Sequence, residues 1–304
     1  MKKDRSIGRW LDAEKIEYTE DLPLSGCTTF RIGGAADWFV RVADGERMER
    51  LVRFAFREGI PLFLMGQGSN LLVRDGGIRG IVARMEGELS AYERCSERVL
   101  RAGGGTPLTG LCMLAKQQGL SGIEFAYGIP GSVGGGVFMN AGAYGGELCD
   151  VFRSAECLTP EGERVTVSAE EGKFRYRGSV FADLGLSVLS AEFELIPGEE
   201  ATIHDRMKEL MGRRKEKQPL EFPSAGSVFK RPEGAYAAAL IEECGLKGYR
   251  IGGAEVSRKH SGFIINAGGA TCRDVLALIE HVQRVVREQT GFMLEREVRI
   301  VGED

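Results

Sequence analysis

Apolar positions along the chain follow two rhythms, one helical and one alternating. After Asp44, the residues Met48, Leu51, Val52, Ala55 and Phe56 recur three and four apart, which predicts one face of a helix capped by Asp44 and stopped by Gly59. Short apolar runs flank it at residues 37–42 and 60–65, and another follows a break at residues 71–73, so a βαβ unit is expected. Residues 1–20 predict a short amphipathic helix carrying Ile7, Trp10, Leu11 and Ile16. A further helix is expected over residues 107–118, with Thr106 as cap, proline in the first turn and Gly119 at the end. Alternation then takes over, and residues 151–195 read as short strands. Composition shifts near residue 200. Beyond it a helix over 203–217 ends in a basic stretch, and another over 273–289 carries Val275, Ile279, Val282 and Val286 behind a capping box of Thr271 and Asp274. A strand is expected at residues 297–301. The class is α+β, in three stretches: an N-terminal helix at 1–20, a domain over 21–198 and a smaller one over 199–304.

Composition narrows the function classes. The 304 residues are 43% apolar and 28% charged, which fits a globular chain of about two domains. Forty basic residues against 44 acidic ones leave a net charge of −4, so no polycation is present to grip nucleic acid. No apolar run exceeds seven residues, so membrane insertion is not expected. The basic N-terminus has no apolar segment behind it, so a secretory signal is not expected either and the cytoplasm is the expected location. The seven cysteines form no CxxC pair and the three histidines no cluster, so no metal site is expected. A monomer is compatible with this composition.

Glycine is the unusual component. There are 43, and eight of them fall in residues 128–146. Such density serves tight turns or close approach of the backbone to a ligand, with successive N–H groups facing an anion. Residues 66–70 and 103–106 are two more glycine-bearing loops, the second just ahead of a predicted helix. Neither GxGxxG nor GxxxxGK[ST] occurs: the nearest cases place Leu71, Leu108 or Met139 at the sixth position. A Rossmann dehydrogenase and a P-loop NTPase are disfavoured.

Six segments occur in one order: TTFRIGG from Thr28, GQGSN from Gly66, GIPGSVGGGVFMNAGAYGGE from Gly128, YRGS from Tyr176, SAGSVFK from Ser224 and EVRI from Glu297. Together they closely resemble the UDP-N-acetylenolpyruvoylglucosamine reductases, from about residue 20 to the C-terminus. The resemblance implies an FAD-binding domain of the vanillyl-alcohol-oxidase (PCMH) type over 21–198 and a substrate domain over 199–304. It implies non-covalent FAD, NADPH as co-substrate, a UDP-sugar as substrate, and reduction of an enolpyruvyl group to the lactyl ether of UDP-N-acetylmuramate. In the cofactor loops it points to Gly66, Gln67, Gly68, Ser69 and Asn70, and to Gly128, Ile129, Pro130, Gly131, Ser132, Gly134, Gly135, Asn140 and Gly142.

The chemistry makes two demands of the chain. A fixed cation must face the substrate's carboxylate, and an acid must protonate the carbon left negatively charged. By resemblance Arg177 is the cation, its planar guanidinium matched to a carboxylate. Ser227 matches the proton donor, and Glu297 the carboxyl group that orients and stabilises the intermediate. Lys217, Lys230 and Arg231 are candidates for the phosphates, although Arg231 stands where the long-chain subtype has asparagine. The stretch 179–196 is too short for that subtype's tyrosine-bearing loop, so the chain resembles the shorter subtype. No catalytic role is assigned to His260. Two other readings keep part of the pattern: an oxidase or dehydrogenase of the same superfamily, and a nucleotide-sugar binding module without turnover. The first often tethers flavin through histidine or cysteine, and here no histidine precedes His204. The second has no use for Arg177, Ser227 and Glu297 together.

Overall fold

The computed structural model describes residues 5–304. Contacts divide the chain into two compact units that interleave along the sequence, whereas the expected domains are consecutive segments. The first unit takes residues 1–20, 38–67 and 80–213; the second takes 21–37, 68–79 and 214–304.

In the first unit the expected N-terminal helix is shorter than residues 1–20. Among the described residues it is α1, Arg5–Ala13, and a strand, Glu17–Pro23, follows; residues 1–4 lie outside the described residues. The second helix, α2 (Gly45–Arg57), starts where the apolar spacing placed it, with the Asp44 carboxylate accepting the Arg47 N–H at 2.8 Å. Its buried stripe is Met48, Leu51, Val52, Phe54 and Ala55; Phe56 is exposed. Around α1 and α2 lies one apolar core that includes Trp38, Val40, Ile81 and Ala83.

A second core in this unit underlies a five-stranded antiparallel sheet in the order Arg164–Ser168, Phe152–Leu158, Ser187–Glu194, Val99–Gly103, Tyr92–Arg94. Two helices pack into that core, α3 (Leu108–Gln117) and α4 (Val133–Met139). Thr106 does not cap α3. It is fully buried and donates to the Ala91 carbonyl at 3.1 Å, and Pro107 takes the cap position without a side-chain bond. After the four-residue helix α5 (Val180–Asp183) the chain turns directly into the strand Ser187–Glu194, which leaves no room for an inserted loop. The long helix α6 (Glu200–Lys217) carries the chain out of this unit.

The second unit is built on a four-stranded antiparallel sheet in the order Ser224–Ser227, Phe263–Asn266, Ala254–Val256, Arg250–Ile251. Beside it pack α7 (Ala237–Glu243) and α8 (Cys272–Thr290), whose Val275, Leu278, Ile279, Val282 and Val286 enter one core with Phe30, Ile32 and Leu72. The capping box of α8 is present as expected: the Thr271 hydroxyl accepts the Asp274 N–H at 3.1 Å, and the Asp274 carboxylate accepts the Thr271 N–H at 3.0 Å. Asp75 adds a second acceptor for the same helix end, taking the Cys272 and Arg273 amides at 2.8 and 3.1 Å. The closing strand is Arg299–Val301, paired in parallel with Leu71–Val73.

Candidate active site

The glycine-bearing loops separate into two kinds once their backbone partners are traced. In the loop of Gly66, Gln67, Gly68, Ser69 and Asn70, no acceptor among the described residues takes any of the five backbone N–H groups. A Cβ at Gly66 would stand 2.4 Å from the Ser132 hydroxyl, so this backbone lies directly on the start of α4. Five successive donors without protein partners suit a diphosphate such as that of FAD. The loop at residues 103–106 is of the other kind. The amides of Gly103, Gly104 and Gly105 donate to the carbonyls of Ala91, Leu189 and Leu89, and a Cβ at Gly104 would meet the Val188 oxygen at 2.0 Å. These glycines serve close packing of backbone on backbone, and the anion cradle expected there is not formed.

The segment from Gly128 mixes both kinds. Gly128 and Ser132 have amides with no acceptor among the described residues, and Pro130 has no N–H. Ile129, Gly131, Gly134 and Gly135 donate to Ala126, Ile129 and Gly104 carbonyls and the Ser132 hydroxyl respectively. Asn140 ends α4 in the left-handed region at φ 44° and is fully buried. Its amide nitrogen donates to Glu147 Oε2 at 2.9 Å and the Arg175 carbonyl at 3.3 Å, while its oxygen accepts the Cys149 N–H at 3.0 Å. Both the nitrogen and the oxygen of that side chain are engaged inside the protein, so Asn140 shapes the loop. Gly142 pairs with Glu147 across a two-residue hairpin strand.

Arg177 sits in a tight turn closed by reciprocal backbone bonds between Arg175 and Gly178, both at 3.0 Å. Ser179 anchors the turn by donating to the Phe138 carbonyl of α4 at 2.8 Å, and the Arg175–Asp183 pair braces it outside at 2.5 Å. The Arg177 side chain is only 18% exposed; its Nη2 donates to the Gly142 carbonyl at 3.3 Å and its Nη1 stands 4.0 Å from Glu147 Oε1. A half-buried guanidinium held at the rim of the glycine-rich loop suits an anionic ligand. Glu147 was not singled out in the sequence, though it is the first charged residue after the uncharged stretch 125–146.

Within the second unit Ser227 and Glu297 are brought together. Ser227 ends the strand Ser224–Ser227, and the carbonyl of the next residue, Val228, accepts the Glu297 N–H at 2.7 Å. Asn70 ties the same spot from the other side: its amide donates to the Glu297 carbonyl at 3.2 Å and its carbonyl accepts the Arg299 N–H at 3.0 Å. Thr29 supports the strand, its hydroxyl donating to the Ser224 carbonyl at 2.7 Å. Both Ser227 and Glu297 are half-buried. The candidate phosphate ligands are not gathered in the same way. Lys217 is exposed at the end of α6, Lys230 pairs with Glu295 at 3.3 Å, and the Arg231 guanidinium lies 4.1 Å from the Tyr236 ring centre. His260 belongs to a packed turn: its Nδ1 accepts the Gly262 N–H at 3.2 Å and its ring meets Phe263 edge-on at 5.0 Å. Burial pushes the imidazole below its ordinary value, and the charges of Lys247 and Lys217 act in the same direction.

A family model of an FAD-binding domain matches residues 36–168, and one of the C-terminal domain of UDP-N-acetylenolpyruvoylglucosamine reductase matches residues 218–301. With the partnerless amides of residues 66–70, this defines a protein of the FAD-binding-domain class. Over 296 residues the chain is 48% identical to the UDP-N-acetylenolpyruvoylglucosamine reductase of Lachnoclostridium phytofermentans, covering 96% of this chain and 95% of that one. The enzyme of the same name from Streptococcus suis is 48% identical over 96% of each chain. A crystal structure of the Thermus caldophilus reductase superposes with a TM-score of 0.82 at 36% identity, covering 94% of this chain and 99% of that one. The chain belongs to the UDP-N-acetylenolpyruvoylglucosamine reductase family.

Proposed function

We infer that this chain is an NADPH-dependent flavoenzyme that reduces the enolpyruvyl group of UDP-N-acetylglucosamine-enolpyruvate to the lactyl ether, giving UDP-N-acetylmuramate for peptidoglycan. The observation that carries the reading within the molecule is the backbone bond from the Glu297 N–H to the carbonyl of Val228, the residue after Ser227, in a chain of this family. Bound FAD would supply the redox chemistry, relaying a hydride equivalent from NADPH to the vinyl methylene carbon. The backbone amides of Gly66, Gln67, Gly68, Ser69 and Asn70 hold its diphosphate. Arg177 receives the substrate's carboxylate, and its permanent charge stabilises the negative charge that develops on the adjoining carbon. Ser227 delivers a proton to that carbon, and Glu297, fixed by Asn70 and Val228, holds the reacting group in line. Lys217, Lys230 and Arg231 meet the nucleotide's phosphates, Lys230 exchanging Glu295 for them. The cytoplasm is the proposed site of action. FAD is held without a covalent tether. Acid precipitation tests this part: the flavin colour leaves with the supernatant, and pigment retained on the pellet would contradict it.

A further inference from the structure

Glu147 is held more firmly than a surface carboxylate has reason to be. Its backbone pairs with Gly142 and donates to Asp150 Oδ2 at 2.8 Å. Its side chain accepts the Asp150 N–H in a reciprocal capping box and the Asn140 amide at 2.9 Å. What the carboxylate faces, at 4.0 Å, is the Arg177 guanidinium. Arg177 itself has φ 56°, a left-handed backbone that costs an L-residue about 1–2 kcal/mol. A partly exposed ion pair at this distance adds roughly 0–1 kcal/mol to stability, which does not explain either the bracing or the strain. Strained backbone maintained by surrounding contacts is characteristic of functional groups.

We propose that Glu147 is a positioning residue for Arg177: braced by Asn140 and Asp150, its carboxylate and the Gly142 carbonyl fix the plane of the guanidinium that receives the substrate's carboxylate. This rests on the reading of Arg177 given above. A negative charge beside Arg177 opposes an incoming carboxylate, so Glu147 contributes orientation at the expense of attraction. The two effects therefore separate. In Glu147→Gln the enolpyruvyl nucleotide binds the oxidised holoenzyme as tightly as in the wild type, or more tightly, by titration of the flavin spectrum. Substrate-driven reoxidation of the reduced enzyme slows about 10- to 100-fold, the loss expected for a guanidinium displaced by about 1 Å. Reduction by NADPH stays within about twofold, because the orientation at stake is toward the substrate's carboxylate.

The experiment is a double-mutant cycle with Glu147→Gln and Arg177→Ala, read by rapid-mixing kinetics and by substrate titration. The slowing caused by Glu147→Gln disappears in the Arg177→Ala background, since one residue acts through the other. Glu147→Asp, which keeps the charge but shortens its reach, gives an intermediate slowing and serves as the second variant should the glutamine form fail to fold. Wild-type reoxidation in both Glu147 variants, or effects that multiply independently of Arg177, would overturn the inference while leaving the role of Arg177 intact. Normal reoxidation in Arg177→Ala alone would overturn both.

Discussion

Asn140 offers a quantitative test of how the glycine-rich segment is held. Replacing it with alanine removes three hydrogen bonds from a fully buried site. The losses are unequal. The Arg175 carbonyl still accepts the Gly178 N–H, and Glu147 still accepts the Asp150 N–H, so each of these forfeits about 1 kcal/mol. The Cys149 N–H loses the acceptor that Asn140 supplies, at about 1–3 kcal/mol. Alanine must also adopt φ 44°, adding about 1 kcal/mol that asparagine largely escapes. The sum is a destabilisation of about 4–6 kcal/mol for Asn140→Ala. Asn140→Gly loses the same bonds without the backbone strain, and is more stable than Asn140→Ala by about 0.5–1 kcal/mol. Urea unfolding at saturating FAD, followed by circular dichroism, gives both differences from the midpoints and a common slope. An alanine variant within about 1 kcal/mol of the wild type would refute the reasoning, as would a glycine variant weaker than the alanine one.

Other consequences can be measured directly. The thiols of Cys157 and Cys272 are pushed up to about 12 by burial, and burial raises that of Cys112 further still. These three resist a thiol-disulfide reagent in the folded enzyme and react on unfolding, while exposed Cys95 is modified first; rapid labelling of Cys157 in native protein, read by mass spectrometry, would contradict this. His260 has a depressed value when folded, so the unfolded chain binds the extra proton and stability falls as pH drops below the ordinary histidine value of 6.5. His260→Asn, which keeps an acceptor for Gly262, flattens that slope in urea unfolding between neutral and mildly acidic pH; an unchanged slope would place the acid sensitivity elsewhere.

Much of the fold was legible because its signals are local. The capping box of α8 involves residues three apart, and it forms as spelled out. The stripe of α2 was legible in period but not fully in phase: Phe54 is buried instead of Phe56 because its ring stacks on Trp10 at 4.1 Å, a partner distant in sequence. Thr106 looks like a cap in the sequence, yet its hydroxyl is taken by Ala91, fifteen residues away. The same limit explains the glycines. The loops at residues 66–70 and 103–106 look alike as strings, and only the neighbouring carbonyls of Ala91, Leu89 and Leu189 show that the second is packing. Arg177, Ser227 and Glu297 are proposed through their motifs, since an arginine, a serine or a glutamate alone carries no signal. Asn140 was singled out as a cofactor-loop residue, but its partner Glu147 escaped, because their significance together is a hydrogen bond between residues seven apart.

The most direct test of the central claim is rapid mixing of the holoenzyme carrying Ser227→Ala. NADPH bleaches the flavin at a rate close to that of the wild type. On addition of the enolpyruvyl nucleotide the colour returns about a thousandfold more slowly, the loss expected for a positioned proton donor. Return of the colour at the wild-type rate, or a preparation of the wild-type chain that takes up no flavin at all, would contradict the account.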